Sequence, residues 1–187
     1  PPGAEAASRQ PEQPAEPAVE LPLEKQPYRV AISVAFGDHP ALSASFRSGV
    51  LDDIENLAGG CAGQLWELNV PESRQVRPAD RSGLARLSVA ELRAAGVDAP
   101  QQEFFVTVRL AGSRYELLAR RWDRITEQLG PMAAGHTFDR RDVGAAAMRL
   151  VEELFRPLFT VERLVEETGK LHLRLQGGDL VAVGEDA

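Results

Sequence analysis

Apolar residues recur at every second position in "YRVAISVAF", with Tyr28, Val30, Ile32, Val34 and Phe36 on one side. A period of two is that of a strand, and the alanines between leave a second face that helices can cover. The period then lengthens. In "GDHPALSASFRSGVLDDIENLAGG", Leu42, Phe46, Val50, Ile54 and Leu57 return at three and four, which predicts an amphipathic helix stopped at Gly59-Gly60. "QLWELNV", Gln64 to Val70, reads as a second strand closed by Pro71, and the polar "ESRQVRPADRSG" as a loop. A short helix follows in "SVAELRAAG", with Ser88 as its cap, Glu91 as the box partner and Gly96 as the terminator.

Two further strands, "EFFVTVRL" and "SRYELLARR", meet at Ala111-Gly112 and predict a hairpin. A helix opens near Asp139, where "DRRDVGAAAMRLVEELF" places Val143, Ala147, Leu150, Val151 and Leu154 on one side. Asp139 as N-cap and Asp142 three positions later supply acceptors for its free amides. A last hairpin pairs "FTVERLVE" with "KLHLRLQ" around "ETG", with Leu171, Leu173 and Leu175 opposite His172, Arg174 and Gln176.

The order is β-α-β-(α)-β-β-α-β-β. Helices with one apolar stripe each must lie against a sheet, so the expected fold is an α/β (α+β) two-layer sandwich. Its sheet is mixed and mainly antiparallel, with the helices packed on one face. Residues 1–27 hold seven of the 13 prolines and almost nothing bulky, and read as a disordered, mildly acidic tether. Residues 28–177 form the single domain, and 178–187 a tail or the start of a following segment. Such a lead also suits the inside of a longer precursor, with a signal or lipid-anchor leader upstream, and hence a periplasmic or otherwise extracytoplasmic address, with the cytoplasm as the alternative. The element order resembles that of small assembly or recognition domains of the bacterial envelope, such as the nucleotide-free α/β domains of Tol-associated, flagellar and curli assembly proteins. That resemblance implies a protein-binding role in a larger assembly.

Charge narrows the partners. A formal charge of -7 opposes the phosphate neutralisation that non-specific nucleic-acid binding needs. The chain has no apolar run of roughly 18 residues, so no membrane-spanning helix is expected. Cys61 is the one cysteine and reads as a buried or partly buried thiol, and no Cys/His set has zinc spacing. No cofactor is expected, because "FGDHP" and "LAGGCAG" lack the dinucleotide fingerprint and neither lysine follows a phosphate loop.

Catalytic signals are equally thin. His39, beside Asp38 and before Pro40, reads as a helix cap and His172 as an outward strand residue. His136 stands near Asp139, Arg140, Arg141 and Asp142. The neighbours Asp52 and Asp53 point about 100° apart on a helix and make no glycosidase couple. None of the serines sits in a nucleophile elbow. A hydrolase with a dispersed site, or a domain sensing a small ligand, stays open as an alternative.

The stretch "YELLARRWDRITEQLGP" carries the densest chemistry. In one reading Trp122 covers the edge of the core while Asp123 caps a following turn and pairs with an arginine. In the other, Arg120, Arg121, Trp122 and Arg124, with Arg140 and Arg141, form a basic patch that contacts an acidic protein or a second copy. The Gly144–Ala147 run is small, suited either to a partner's backbone or to tight internal packing.

Overall fold

Tyr28, Val30, Ile32, Val34 and Phe36 of β1 (Tyr28–Phe36) face the main core, as their alternation requires. The computed structural model describes residues 21–94, 99–165 and 170–180. Residues 1–20 of the proline-rich lead therefore lie outside the described residues. So do Gly96, the "ETG" turn and all residues after Leu180. Leu23–Lys25 already forms a 3-10 turn ahead of the expected start of order.

Helix α1 (Ala44–Ala62) begins at Ser43, whose hydroxyl accepts from the Phe46 amide at 3.4 Å. Its buried stripe is Phe46, Val50, Ile54 and Ala58, a strict spacing of four that leaves Leu57 exposed. The helix also runs through Gly59-Gly60 and stops at Gly63, which adopts φ 51°. One left-handed residue terminates it, where the sequence offered a glycine pair.

After β2 (Trp66–Asn69) come α2 (Arg81–Ala85) and α3 (Val89–Arg93), the latter capped by Ser88. Strands β3 (Gln102–Ala111) and β4 (Arg114–Asp123) form the expected hairpin, closed by Gly112 at φ 63° and Ser113. A further strand, β5 (Gln128–Thr137), follows where sequence suggested only a turn. Helix α4 (Val143–Leu154) buries Val143, Ala147, Leu150, Val151 and Leu154. Strands β6 (Phe159–Val165) and β7 (Lys170–Leu175) follow, and a 3-10 turn at Gly178–Leu180 comes after them.

The main sheet has the order β2-β1-β3-β4-β5, parallel at β1–β2 and β1–β3 and antiparallel elsewhere. It is an α/β sandwich in which the long helices α1 and α4 pack on one face. The connection from β2 to β3 covers the other face with a smaller core of Ala35, Val76, Ala79, Leu84, Leu92, Phe105 and Trp122. Handedness explains the change of side. The chain moves outward from β1 to β2 and back across β1 to β3, so both crossovers are right-handed only on opposite faces.

The small residues of α4 serve that packing. A Cβ on Gly144 would stand 2.6 Å from the Asp53 Cβ of α1, so the Gly144–Ala147 run lets two helices of the same chain approach. Strand β5 is an edge, which is where Pro131 is tolerated.

Beside the second core stands a half-buried carboxylate. Glu103 accepts from the buried Ser33 hydroxyl at 2.8 Å. Burial pushes its pKa above the ordinary 4.5, against the opposing pull of Ser33 and of Arg124. A raised folded pKa means the folded state holds its proton more tightly, so the ionised form weakens the fold at neutral pH. Glu103→Gln keeps the acceptor for Ser33 and removes the charge. Thermal melts are expected to show the variant more stable than wild type at pH 7. The gap should close as pH falls through the raised pKa towards 4.5. A constant gap, or a less stable variant, would show that the charge does not disfavour the fold.

Candidate functional site

Strands β6 and β7 form a two-stranded sheet of their own. Its foot is tied to the domain. The buried Gln176 amide donates to Pro27 O at 3.1 Å and Gln101 Oε1 at 3.0 Å, and its backbone N donates to Leu158 O. Leu158 N donates to the Tyr28 hydroxyl at 2.8 Å, and Gln102 Nε2 holds Arg156 O at 2.7 Å. Phe155 packs edge-on against Tyr28 and tilts against Trp66.

Beyond that foot the sheet carries an apolar ladder with no cover among the described residues. Cross-strand partners share a face, and the partners here are Phe159 with Leu175, Val161 with Leu173 and Leu164 with Leu171. All six side chains are 38% to 57% exposed. The register shifts between Val161 and Arg163, making Glu162 an inserted residue. Without that bulge Leu164 would turn to the opposite face, so the irregularity completes the apolar surface. The other face is polar: Arg174 pairs with Glu24 at 2.6 Å and also with Glu162. Six apolar side chains of this size expose about 500 Å², as large as the biggest patch on an ordinary monomer.

The arginine and tryptophan residues selected from sequence do not make a comparable surface. Trp122 is 0% exposed and sits in the second core against the α2 and α3 connection. As a contact residue it is therefore misplaced: β4 runs on in regular register with β3, which keeps Trp122 on the same face as Arg120, and the β2–β3 connection covers that face. Arg120 donates to Leu84 O at 3.1 Å and Gly130 O at 3.1 Å. Arg124 donates to Leu92 O at 2.9 Å and Pro100 O at 3.2 Å. Leu84 and Leu92 stand at the ends of α2 and α3, so these two arginines satisfy last-turn carbonyls and bind the connection to β4. Arg121 is half-buried, 3.9 Å from Asp123. Asp123 in turn caps the next turn by accepting from Thr126 N at 3.0 Å. Arg140 lies elsewhere, with its guanidinium 4.7 Å above the Phe46 ring. Arg140 and Arg141 are exposed and open to a partner, but they do not join the other three.

The open cleft beside α2, about 680 Å³, gathers Asp80, Arg81, Ser82, Arg109, Arg114, Glu116 and His136. Its groups are engaged with one another in ways that oppose catalysis. Ser82 Oγ donates to Asp80 Oδ1 at 2.9 Å, and the same oxygen caps α2 through Gly83 N at 3.0 Å. Those two donors hold the Asp80 carboxyl below its ordinary pKa and make it a poor base. Glu116 is clasped by Arg109 and Arg114, which lower its pKa in the same way. Among the described residues no hydrogen bond joins His136 to Ser82, and His136 packs edge-on against Phe138. His39 Nδ1 accepts from the Ala41 amide at 3.1 Å. Cys61 is exposed at the end of α1, not buried as its apolar and glycine neighbours suggest, and its bond to Glu152 raises the thiol pKa, contrary to what a nucleophile needs. No group of three metal-ligating side chains occurs among the described residues, and no helix there is long and apolar enough to cross a membrane.

No protein-family model matches the chain, and no curated protein matches it in sequence. Among solved structures it is similar to TolB from Acinetobacter baumannii, at 12% identity and a TM-score of 0.42, over 84% of this chain and 38% of that one. It is also similar to a PelC dodecamer from Paraburkholderia phytofirmans, at 12% identity and 0.36, over 71% and 88%. A lipoprotein from Neisseria meningitidis gives 11% identity and 0.36, over 68% and 97%. These are distant likenesses of chain arrangement. The present chain spans well under half of TolB.

Half of the ladder was legible in sequence. Leu171, Leu173 and Leu175 alternate cleanly in β7, whereas the bulge at Glu162 breaks the alternation of Phe159, Val161 and Leu164. Alternation also reports which residues share a face but not whether another layer covers it.

Proposed function

We propose that this chain is a non-catalytic protein-binding or assembly domain, and that its contact face is the apolar side of the β6–β7 hairpin. The observation that carries the reading is the ladder of three exposed apolar pairs on a sheet fixed at its foot. An exposed apolar surface costs solubility, and a rigidly held one loses little entropy on binding. The cleft supports the same reading, since its serine, carboxylates and arginines are bound to one another. We place the domain in a larger, extracytoplasmic protein of the bacterial envelope; the tether-like composition of residues 1–27 supports that placement.

Photo-crosslinking in native cells tests the reading. A photoreactive residue at Leu173 is expected to give discrete protein adducts, and one at the exposed Ile125 none. Val161→Glu should abolish the Leu173 adducts in a chain that remains folded by circular dichroism. Adducts that arise equally at both positions, or only at Ile125, would remove the hairpin from the contact surface.

A further inference from the structure

The identity of the partner follows from what the hairpin lacks as much as from what it carries. We infer that the apolar face of β6–β7 packs against the same face of a second copy of this chain, giving a two-fold dimer; this rests on the reading of the hairpin as a contact surface.

Among residues 1–187 nothing else suits the face. The residues outside the described structure carry Val19, Val97, Val181 and Val183 and no larger hydrophobe. Four valines, at most two of them in one segment, cannot cover three cross-strand pairs. The large apolar side chains exposed elsewhere among the described residues are Leu21 ahead of the first 3-10 turn, Leu57 on α1, Ile125 at the β4–β5 turn and Phe138 beyond β5, one side chain apiece and too little to cover the ladder.

Charge selects the place at which two copies can meet. The whole chain carries -7, so identical copies repel across most of their surface. In the hairpin, Glu162, Glu166 and Glu167 are matched by Arg163, Lys170 and Arg174, which makes this segment neutral. Arg174 is already paired with Glu24 and Glu162 on the far face, so the apolar side asks nothing electrostatic of its partner. The same negative charge disfavours an anionic lipid surface as the occupant.

Area and shape agree. A two-fold contact must be self-complementary, and a neutral ladder is so in either orientation. The six side chains of each copy supply about 500 Å², and two such faces reach about 1,000 Å², the threshold of a specific interface before any polar rim is added. A two-stranded sheet is marginal by itself, and stacking two of them about 10 Å apart turns both into halves of a small sandwich.

Sedimentation velocity on the full chain, over a micromolar to submillimolar series, tests the inference. The expected result is a concentration-dependent monomer–dimer equilibrium. Leu173→Glu should weaken it by about a hundredfold or more, because each dimer would then bury two unpaired carboxylates. Ile125→Glu should leave it unchanged. A wild-type chain that stays monomeric throughout, or a dimer that Leu173→Glu does not weaken, overturns the second copy as partner. The Leu173 photo-adduct separates the two readings. An adduct of twice the chain's mass supports self-association. An adduct to a different protein overturns self-association and leaves the contact face standing. A wild-type chain that is monomeric but floats with neutral phosphatidylcholine vesicles makes lipid the occupant and overturns both.

Discussion

Trp122→Ala is expected to cost about 3–5 kcal/mol of stability, the loss typical of a large aromatic truncated in a core. The side chain is 0% exposed and stands at the centre of the second core, with Ala35, Leu84, Leu92 and Phe105 in the same cluster. Domains of this size hold about 5–15 kcal/mol in all, so the substitution removes a large part of the margin. The indole nitrogen has no hydrogen-bond partner among the described residues, so Trp122→Phe loses volume but no bond and should cost a fraction as much. Urea titration checks this through the midpoint, with the hairpin dimer assayed separately. A loss below about 1 kcal/mol for the alanine variant would contradict a core role, as the ordinary range for truncating a buried aromatic begins well above it.

Gly83→Ala should be almost as damaging, for a reason of space. A Cβ built on Gly83 would stand 1.9 Å from Pro78 O and 3.0 Å from the Pro78 carbonyl carbon. Both are backbone atoms and neither can rotate away. Helix α2 would have to move off the segment beneath it, taking Leu84 and the carbonyl held by Arg120 with it. Overpacking of this kind costs about 1–3 kcal/mol and sometimes more, which exceeds the gain in helix propensity of about 1 kcal/mol. Gly49 provides the contrast. It lies inside α1, and a Cβ there meets nothing within 4 Å. Gly49→Ala should therefore stabilise by up to about 1 kcal/mol. Two glycine-to-alanine changes of opposite sign in the same urea assay would test the packing around α2. Equal effects would show that propensity, not space, governs both.

Much of the architecture can be read directly from periodicity. The alternation of β1, the stripe of α4 and the caps Ser88 and Asp139 are local signals that the tertiary structure reinforces, whereas α1 is capped by Ser43 and not by His39. Strand β5 is different, because Gly130, Pro131 and Gly135 imitate a loop. Those residues belong to an edge strand lying under α4, where a Cβ on Gly135 would touch Leu150 at 3.5 Å. The strand is specified by its neighbours more than by its own residues. Trp122 and its arginines were ambiguous for a similar reason. Tryptophan and arginine serve equally in interfaces and in core edges, and only the return of the chain over the second face decides between them. The outward ladder of the last hairpin depends on a missing layer, which no local pattern encodes.

The strand order carries a consequence for how the molecule assembles. The β3-β4-β5 meander joins neighbours in sequence through short turns, so its pairings close small loops and form early. β1 must instead find β3 across about seventy residues, the separation between Ser33 and Glu103. Loop-closure entropy delays that step. β1, and β2 which pairs only with it, therefore join after the meander, and until β1 arrives Phe104, Val106 and Val108 lie along an open edge.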